Sequence, residues 1–91
     1  MNVRWEITIV RADQTSDTFA VRPKTIVAFE RHFKTGLSHA FVKDQKSEHL
    51  YWLAWECERS SGNAVKPFDA WLDTIETVDI KTVSNPLDET V

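Results

Sequence analysis

The sequence predicts an α+β fold in which an N-terminal β-hairpin is followed by three helices that cover its apolar face. Apolar residues first alternate with polar ones, as in a strand, and later recur every three or four positions, as in helices. Pro23 and Pro67 precede two of the helical stretches, and Gly36 and Gly62 follow two of them. With 91 residues, of which 42% are apolar, the chain fits one small domain.

The hairpin is predicted from two short segments near the N-terminus. In NVRWEITIV every second residue is apolar, which is typical of a strand with one covered face. These residues are Val3, Trp5, Ile7 and Ile9. The polar segment RADQTSD then indicates a turn, and TFAVRP supplies Phe19 and Val21 as a second inward-facing pair. A hairpin alone is marginally stable in water, so the helices must pack against it.

The first two helices are predicted from their ends as well as from their periodicity. Helix one should run from about residue 23 to 34, with Pro23 in its first turn and Gly36 as its left-handed terminator. Helix two should begin near Ser47 and end before Gly62. Between them, LSHAFVKDQ has no decisive period and is assigned as a short helical turn or an ordered connector.

The third helix should open at Pro67, because the apolar residues that follow match the i, i+3, i+4, i+7 pattern without a gap. These residues are Phe68, Trp71, Leu72 and Ile75. Beyond them, VDIKTV alternates weakly and is a candidate edge strand. We therefore assign residues 1–83 to a single α+β domain, and residues 84–91 to a flexible C-terminal tail because of their polar composition.

Composition and charge indicate which ligands the protein is expected not to bind and in which cellular compartment it is expected. Fourteen acidic residues face 11 basic ones, and no basic run marks a phosphate-binding surface, so we expect no nucleic acid ligand. No apolar stretch has the length of a signal peptide or a membrane span. Cys57 is the single cysteine and lies in an apolar helical stretch, which suits a buried, reduced thiol. We expect a soluble, cytoplasmic protein without a membrane partner.

The sequence contains none of the motifs that usually mark an active site or a metal site. His32, His39, His49 and Cys57 include no pair at the three-to-five-residue spacing that zinc sites favour. There is also no glycine-rich phosphate loop, nucleophile elbow or HExxH pattern. We expect a protein that is not an enzyme, with no catalytic residues, no metal and no cofactor.

Ten aromatic rings are the most distinctive feature of the chain. Trp5 and Trp71 are in phase with apolar stripes and are assigned to the core. On helix two, Tyr51, Trp52 and Trp55 cannot all share one stripe, so at least one of them should reach a second surface.

Helix two should keep only a narrow solvent-facing strip, formed by His49, Glu56 and Arg59. For Trp52 and Trp55, a place in the core and a role as an interface anchor are equally favoured. The candidate partner-binding residues are Tyr51, Trp52 and Trp55, with Phe41 a weaker candidate.

Three segments in order resemble the tail assembly chaperones of long-tailed bacteriophages. They are TIVAFERHFKTGLS, EHLYWLAWECERSSG and KPFDAWLDTIETVD, and the resemblance covers about residues 20 to 80. It implies a protein of the host cytoplasm, not part of the mature virion, that binds the tape measure protein, keeps it soluble and helps to recruit tail tube subunits. Such chaperones occur in two lengths through ribosomal frameshifting, and this chain would correspond to the shorter form.

Two other interpretations stay open at the level of sequence. One is a structural virion component, such as a tail or head–tail connector protein, and the other is a small regulatory or toxin–antitoxin domain. Exposed aromatic surface would also favour self-association, so we expect a homo-oligomer at high concentration.

Overall fold

The computed structural model describes residues 3–84, which form an α+β fold with a three-stranded antiparallel sheet. The elements, in chain order, are β1 (Val3–Arg11), β2 (Ser16–Ala20), α1 (Pro23–Phe33), α2 (Leu37–His39), a π-helical turn (Ala40–Asp44), α3 (Ser47–Ser60), α4 (Phe68–Leu72) and β3 (Ile75–Ser84). The predicted fold class, a β-hairpin followed by helices, is confirmed, and a third strand completes the sheet.

Strand β1 lies in the centre of the sheet, between β2 and β3. Ile7 pairs with Phe19 on one side and with Ile80 on the other. The predicted alternation is confirmed, because Ile7 and Ile9 are fully buried beneath the helices while Thr8 between them belongs to the opposite face. The apolar face of the sheet is therefore the floor of the core.

The third helix is shorter than predicted, and Ile75 does not belong to it. Helix α4 ends at Leu72, and Ile75 is the first residue of β3. Thr74 stops the helix by donating both its N–H (2.9 Å) and its hydroxyl (2.7 Å) to the carbonyl of Trp71. The predicted edge strand is confirmed and is longer than VDIKTV. The predicted flexible tail begins at Ser84, the last residue of β3, and its remaining residues 85–91 lie outside the described part of the chain.

Helix α1 ends at Phe33, three residues before the glycine that was predicted to terminate it. Lys34 adopts the left-handed conformation (φ 59°), and its N–H is bonded to the carbonyl of Glu30. Gly36 instead has φ −70° and precedes α2. The Glu30 carboxylate accepts the N–H of Leu37 (3.0 Å), which fixes the turn into α2. After α3, Gly62 has φ +101°, the left-handed conformation that glycine adopts readily.

Helix α3 is enclosed on almost every side, because it contacts all three strands as well as α1 and α4. The predicted solvent-facing strip is therefore wrong for two of its three residues. His49 is 5% exposed and packs against Phe29 and Phe33, and Glu56 is 2% exposed. Arg59 alone is exposed, and its guanidinium makes two 2.8 Å hydrogen bonds with the Glu56 carboxylate.

Phe29 is the centre of the core between α1 and α3. Its ring is fully buried, with centroid distances of 4.7 Å to Phe33, 5.7 Å to Phe41 and 6.1 Å to Trp52. Aromatic pairs at such distances add to the free energy gained by burying their apolar area.

Replacing Phe29 with alanine should lower the free energy of unfolding by about 3–5 kcal/mol, because a cavity would remain among rings that cannot close over it. Val27→Ala is the matched control on the same helix, since Val27 is 42% exposed. Urea denaturation followed by circular dichroism measures both variants. Similar losses for the two variants would contradict the central position of Phe29.

Candidate functional site

The four residues predicted to bind a partner do not form one surface. Trp52 and Trp55 contact each other on α3, with a centroid distance of 5.9 Å. Phe41 lies in the π-helical turn and contacts Trp5 at 5.6 Å and Phe29 at 5.7 Å. Tyr51 is half-buried against the core from α3. The described residues therefore present two separate candidate surfaces.

Trp52 belongs to the core rather than to an open surface. Its side chain is 8% exposed, because the ring packs edge-on against Phe33 at 5.5 Å while the imidazole of His32 stacks over it at 4.6 Å. The interplanar angle of 11° makes His32 a nearly parallel cover. Of the two alternatives for Trp52, the structure therefore favours the core position.

Trp55 is half-buried and held in one orientation. Its ring lies 5.9 Å from that of Trp52 and 5.8 Å from that of Phe68. The indole N–H donates to the carbonyl of Lys66 (2.9 Å), and the guanidinium of Arg59 lies 5.8 Å from the ring centroid. The ring thus joins α3 to α4 and to the loop between them while part of it stays accessible to solvent.

The first surface, which we call the α1–α3 groove, is an open depression of about 550 Å³. It is lined by Ala28, Arg31, His32, Trp52, Trp55, Glu56 and Arg59. The accessible part of its floor is the half-buried ring of Trp55, because His32 covers Trp52. Exposed Arg31 and Arg59 stand on opposite helices. An aromatic floor between charged rims suits an amphipathic segment with one apolar face.

The helical spacing of the sequence indicates which residues of each helix share the face that lines this groove. Trp52, Trp55, Glu56 and Arg59 follow one another at i, i+3, i+4 and i+7, which places them on one face of α3. Ala28, Arg31 and His32 share a face of α1 in the same way. Periodicity places residues on a face within each helix, but it does not state which faces of different helices are neighbours.

The second surface, which we call the β-edge cleft, is an open apolar depression of about 440 Å³. It is lined by Trp5, Phe41, Ile80, Lys81 and Thr82. Trp5 was predicted to lie in the core, but it is half-buried because the sheet ends one strand beyond it, at β3. Ile80, Lys81 and Thr82 belong to the predicted edge strand, although nothing in their spacing had marked them as part of a surface.

A buried polar junction connects β1, α3 and α4. The Glu58 carboxylate accepts hydrogen bonds from the guanidinium of Arg11 (2.9 Å) and from the indole N–H of Trp71 (3.1 Å). Arg11 also bonds Asp17 at 2.8 Å. Burial opposes the charge of Arg11, but its hydrogen bonds and charge interactions with Asp17 and Glu58 raise its pKa overall. Glu58 therefore serves the packing of α4 onto the sheet.

Cys57 has the environment of a structural thiol. It is 4% exposed, and desolvation together with the negative charge of Glu56 raises its pKa from 9.0 to about 12. The thiolate is the reactive form of cysteine, so a raised pKa makes this side chain a poor nucleophile. Among residues 3–84, no three His, Cys, Asp or Glu side chains are grouped as metal ligands would be.

No family model, curated protein or solved structure matches the chain. Within residues 3–84, no helix combines the length and the apolar character that crossing a membrane would require.

Trp52→Ala should lower the free energy of unfolding by about 3–5 kcal/mol, because the ring is enclosed by Phe33 and His32. Trp55→Phe keeps an aromatic ring and removes the bond to the Lys66 carbonyl, so its expected loss is about 0.5–1.5 kcal/mol. Chemical denaturation of the two variants measures the difference. A larger loss for Trp55→Phe than for Trp52→Ala would contradict these positions.

Native Cys57 should react with iodoacetamide at pH 8 far more slowly than the urea-unfolded chain does, since the folded thiol is buried and protonated. Because the pKa of Cys57 is higher in the folded state, the protonated thiol contributes to the free energy of unfolding. This contribution should be complete below the unfolded pKa of 9.0 and should be lost as the pH rises towards about 12. Mass spectrometry of the alkylated protein measures the rates. Equal rates for the native and unfolded chain would contradict the burial of the thiol.

Proposed function

We propose that this protein is a tail assembly chaperone of a long-tailed bacteriophage, and that it binds apolar helical segments of the tape measure protein in the α1–α3 groove. The observation that carries the proposal is the open groove whose floor presents the half-buried Trp55 ring, which packs on the buried Trp52 ring. The resemblance of three successive segments to such chaperones supplies the identity of the client.

The groove suits a helix better than an extended peptide. It runs between two helices, its floor is aromatic, and a bound amphipathic helix would lay one apolar face on that floor. Trp55 is already fixed by its bond to Lys66, so little side-chain freedom is lost on binding. Because Arg59 is neutralised by Glu56, Arg31 is the rim charge that would attract an acidic flank on the client.

In this proposal the protein keeps the tape measure protein soluble in the host cytoplasm and helps to bring tail tube subunits to it. Both roles are binding functions and need no catalytic group. The protein would leave before the virion is complete.

Ala28→Arg should weaken binding of apolar tape-measure segments by about tenfold or more, because the new side chain fills the groove and removes a central contact. Val27→Arg adds the same charge at the next position of α1, outside the groove lining, and should leave binding unchanged. Isothermal titration calorimetry with synthetic segments from the encoded tape measure protein measures affinity, and thermal unfolding controls for stability.

Co-expression supplies the matching test of the chaperone role. The fraction of tape measure protein that stays soluble should rise with the wild-type chain and with Val27→Arg, but not with Ala28→Arg. If none of the tape-measure segments binds, the proposal fails. Stoichiometric amounts of the chain in purified virions, measured by mass spectrometry, would instead identify a structural tail or connector protein.

A further inference from the structure

We propose that two copies of this chain pair through strand β3, antiparallel about a two-fold axis at Ile80, to form a continuous six-stranded sheet. This interface lies at the β-edge cleft and does not involve the α1–α3 groove. The pairing needs no client protein, so it stands or falls separately from the proposed function.

The first observation is the edge itself. Within residues 3–84, β3 pairs with β1 only, and its other side carries no strand. It is ten residues long and contains no proline. Its one bulge is at Glu76, which is skipped between the pairs Val10–Thr77 and Arg11–Ile75, so β3 pairs regularly with β1 from Thr77 onwards. A long, regular stretch of edge strand is a template for pairing with another chain. The opposite edge, β2, has only five residues, which limits what it can pair with.

The second observation is the direction of the backbone groups. The Trp5 carbonyl accepts the N–H of Val21 (2.8 Å), so the backbone groups of Trp5 point to β2 and those of Glu6 point to β3. Glu6 lies opposite Lys81, so the backbone groups of Lys81 point inward to β1. Those of Ile80 therefore point outward, and a two-fold axis there makes Ile80 and its symmetry mate a hydrogen-bonded pair.

The third observation is the charge pattern, which favours this register over the two adjacent ones. With Ile80 opposite Ile80, Asp79 of each copy lies directly across from Lys81 of the other, giving two cross-strand ion pairs on the open face of the sheet. A shift that centres the axis on Asp79 would oppose two carboxylates, and one that centres it on Lys81 would oppose two ammonium groups. Directly opposed like charges destabilise a strand pair.

The fourth observation is the apolar surface beside the edge. Ile80 lies on the helix-covered face of the sheet, and together with Trp5 and Phe41 it lines the open β-edge cleft. In the paired sheet, Ile80 of the second copy lies next to this cleft and Val78 of the second copy lies opposite Thr82. The same contact thus satisfies the outward backbone groups and covers half-buried rings. A second copy is therefore the occupant that the edge fits best.

The test uses the full chain in sedimentation velocity over a concentration series. The wild-type chain should show a monomer–dimer equilibrium. Asp79→Lys should raise the dimer dissociation constant by at least about tenfold, because two attractive pairs become repulsive. Lys81→Asp should do the same. An equimolar mixture of these two variants should recover the dimer, since each copy then supplies the charge that the other lacks.

Two further variants keep the test decisive. Thr82→Pro removes an outward N–H without removing a bond to β1, so it should weaken the dimer and leave thermal unfolding nearly unchanged. Asp69→Lys makes the same charge change as Asp79→Lys at an exposed position of α4 and should leave the dimer intact. A wild-type chain that stays monomeric, or a dimer indifferent to Asp79→Lys and Thr82→Pro, would overturn the proposal. Loss of client binding in Thr82→Pro, without any change in self-association, would assign the edge to the client instead.

Discussion

The fold depends on the packing of aromatic rings around Phe29. Ring contacts run without a break from the sheet to α4, and each ring lies within 6.3 Å of the next. In order, the rings are Trp5, Phe41, Phe29, Trp52, Trp55, Phe68 and Trp71. A domain of this size has little interior, so a few large side chains must supply most of the buried apolar area. Most of the aromatic load is thus explained by the core, and only part of it remains for partners.

Sequence patterns predicted the helices and strands well where the structure is fixed by residues close together in the sequence. The alternation in β1, Pro23 at the start of α1 and the left-handed Gly62 after α3 each reflect a constraint within a few residues. The end of α4 was predicted too far along the chain, because Ile75 continues the helical spacing yet pairs with β1 as a strand. The pairing of Ile75 with β1 decided in favour of the strand. Helical periodicity does not contain information about pairing between distant segments.

At the candidate site, too, the sequence pattern did not reveal contacts between different elements. Sequence spacing placed Tyr51, Trp52 and Trp55 on one helix and required at least one of them to reach a second surface. It could not reveal that Trp52 and Trp55 contact each other, or that His32 covers Trp52 and leaves Trp55 half-open. His49 and Glu56 were expected in solvent because they are polar. They are buried because α3 has neighbours on nearly all sides, a property of the assembled fold. The β-edge cleft was not foreseen, since it joins residues that are distant in sequence.

The junction at Glu58 has a consequence for how uniquely the chain folds. A carboxylate in the interior is tolerated only while Arg11 and the indole of Trp71 both reach it. If α3 moved by one turn along the sheet, it would keep much of its apolar contact, since rings pack acceptably in several arrangements. The Glu58 carboxylate, however, would be left without hydrogen-bond donors. Glu58 therefore favours the observed position of α3 on the sheet, because other positions would leave its buried charge without hydrogen-bond donors.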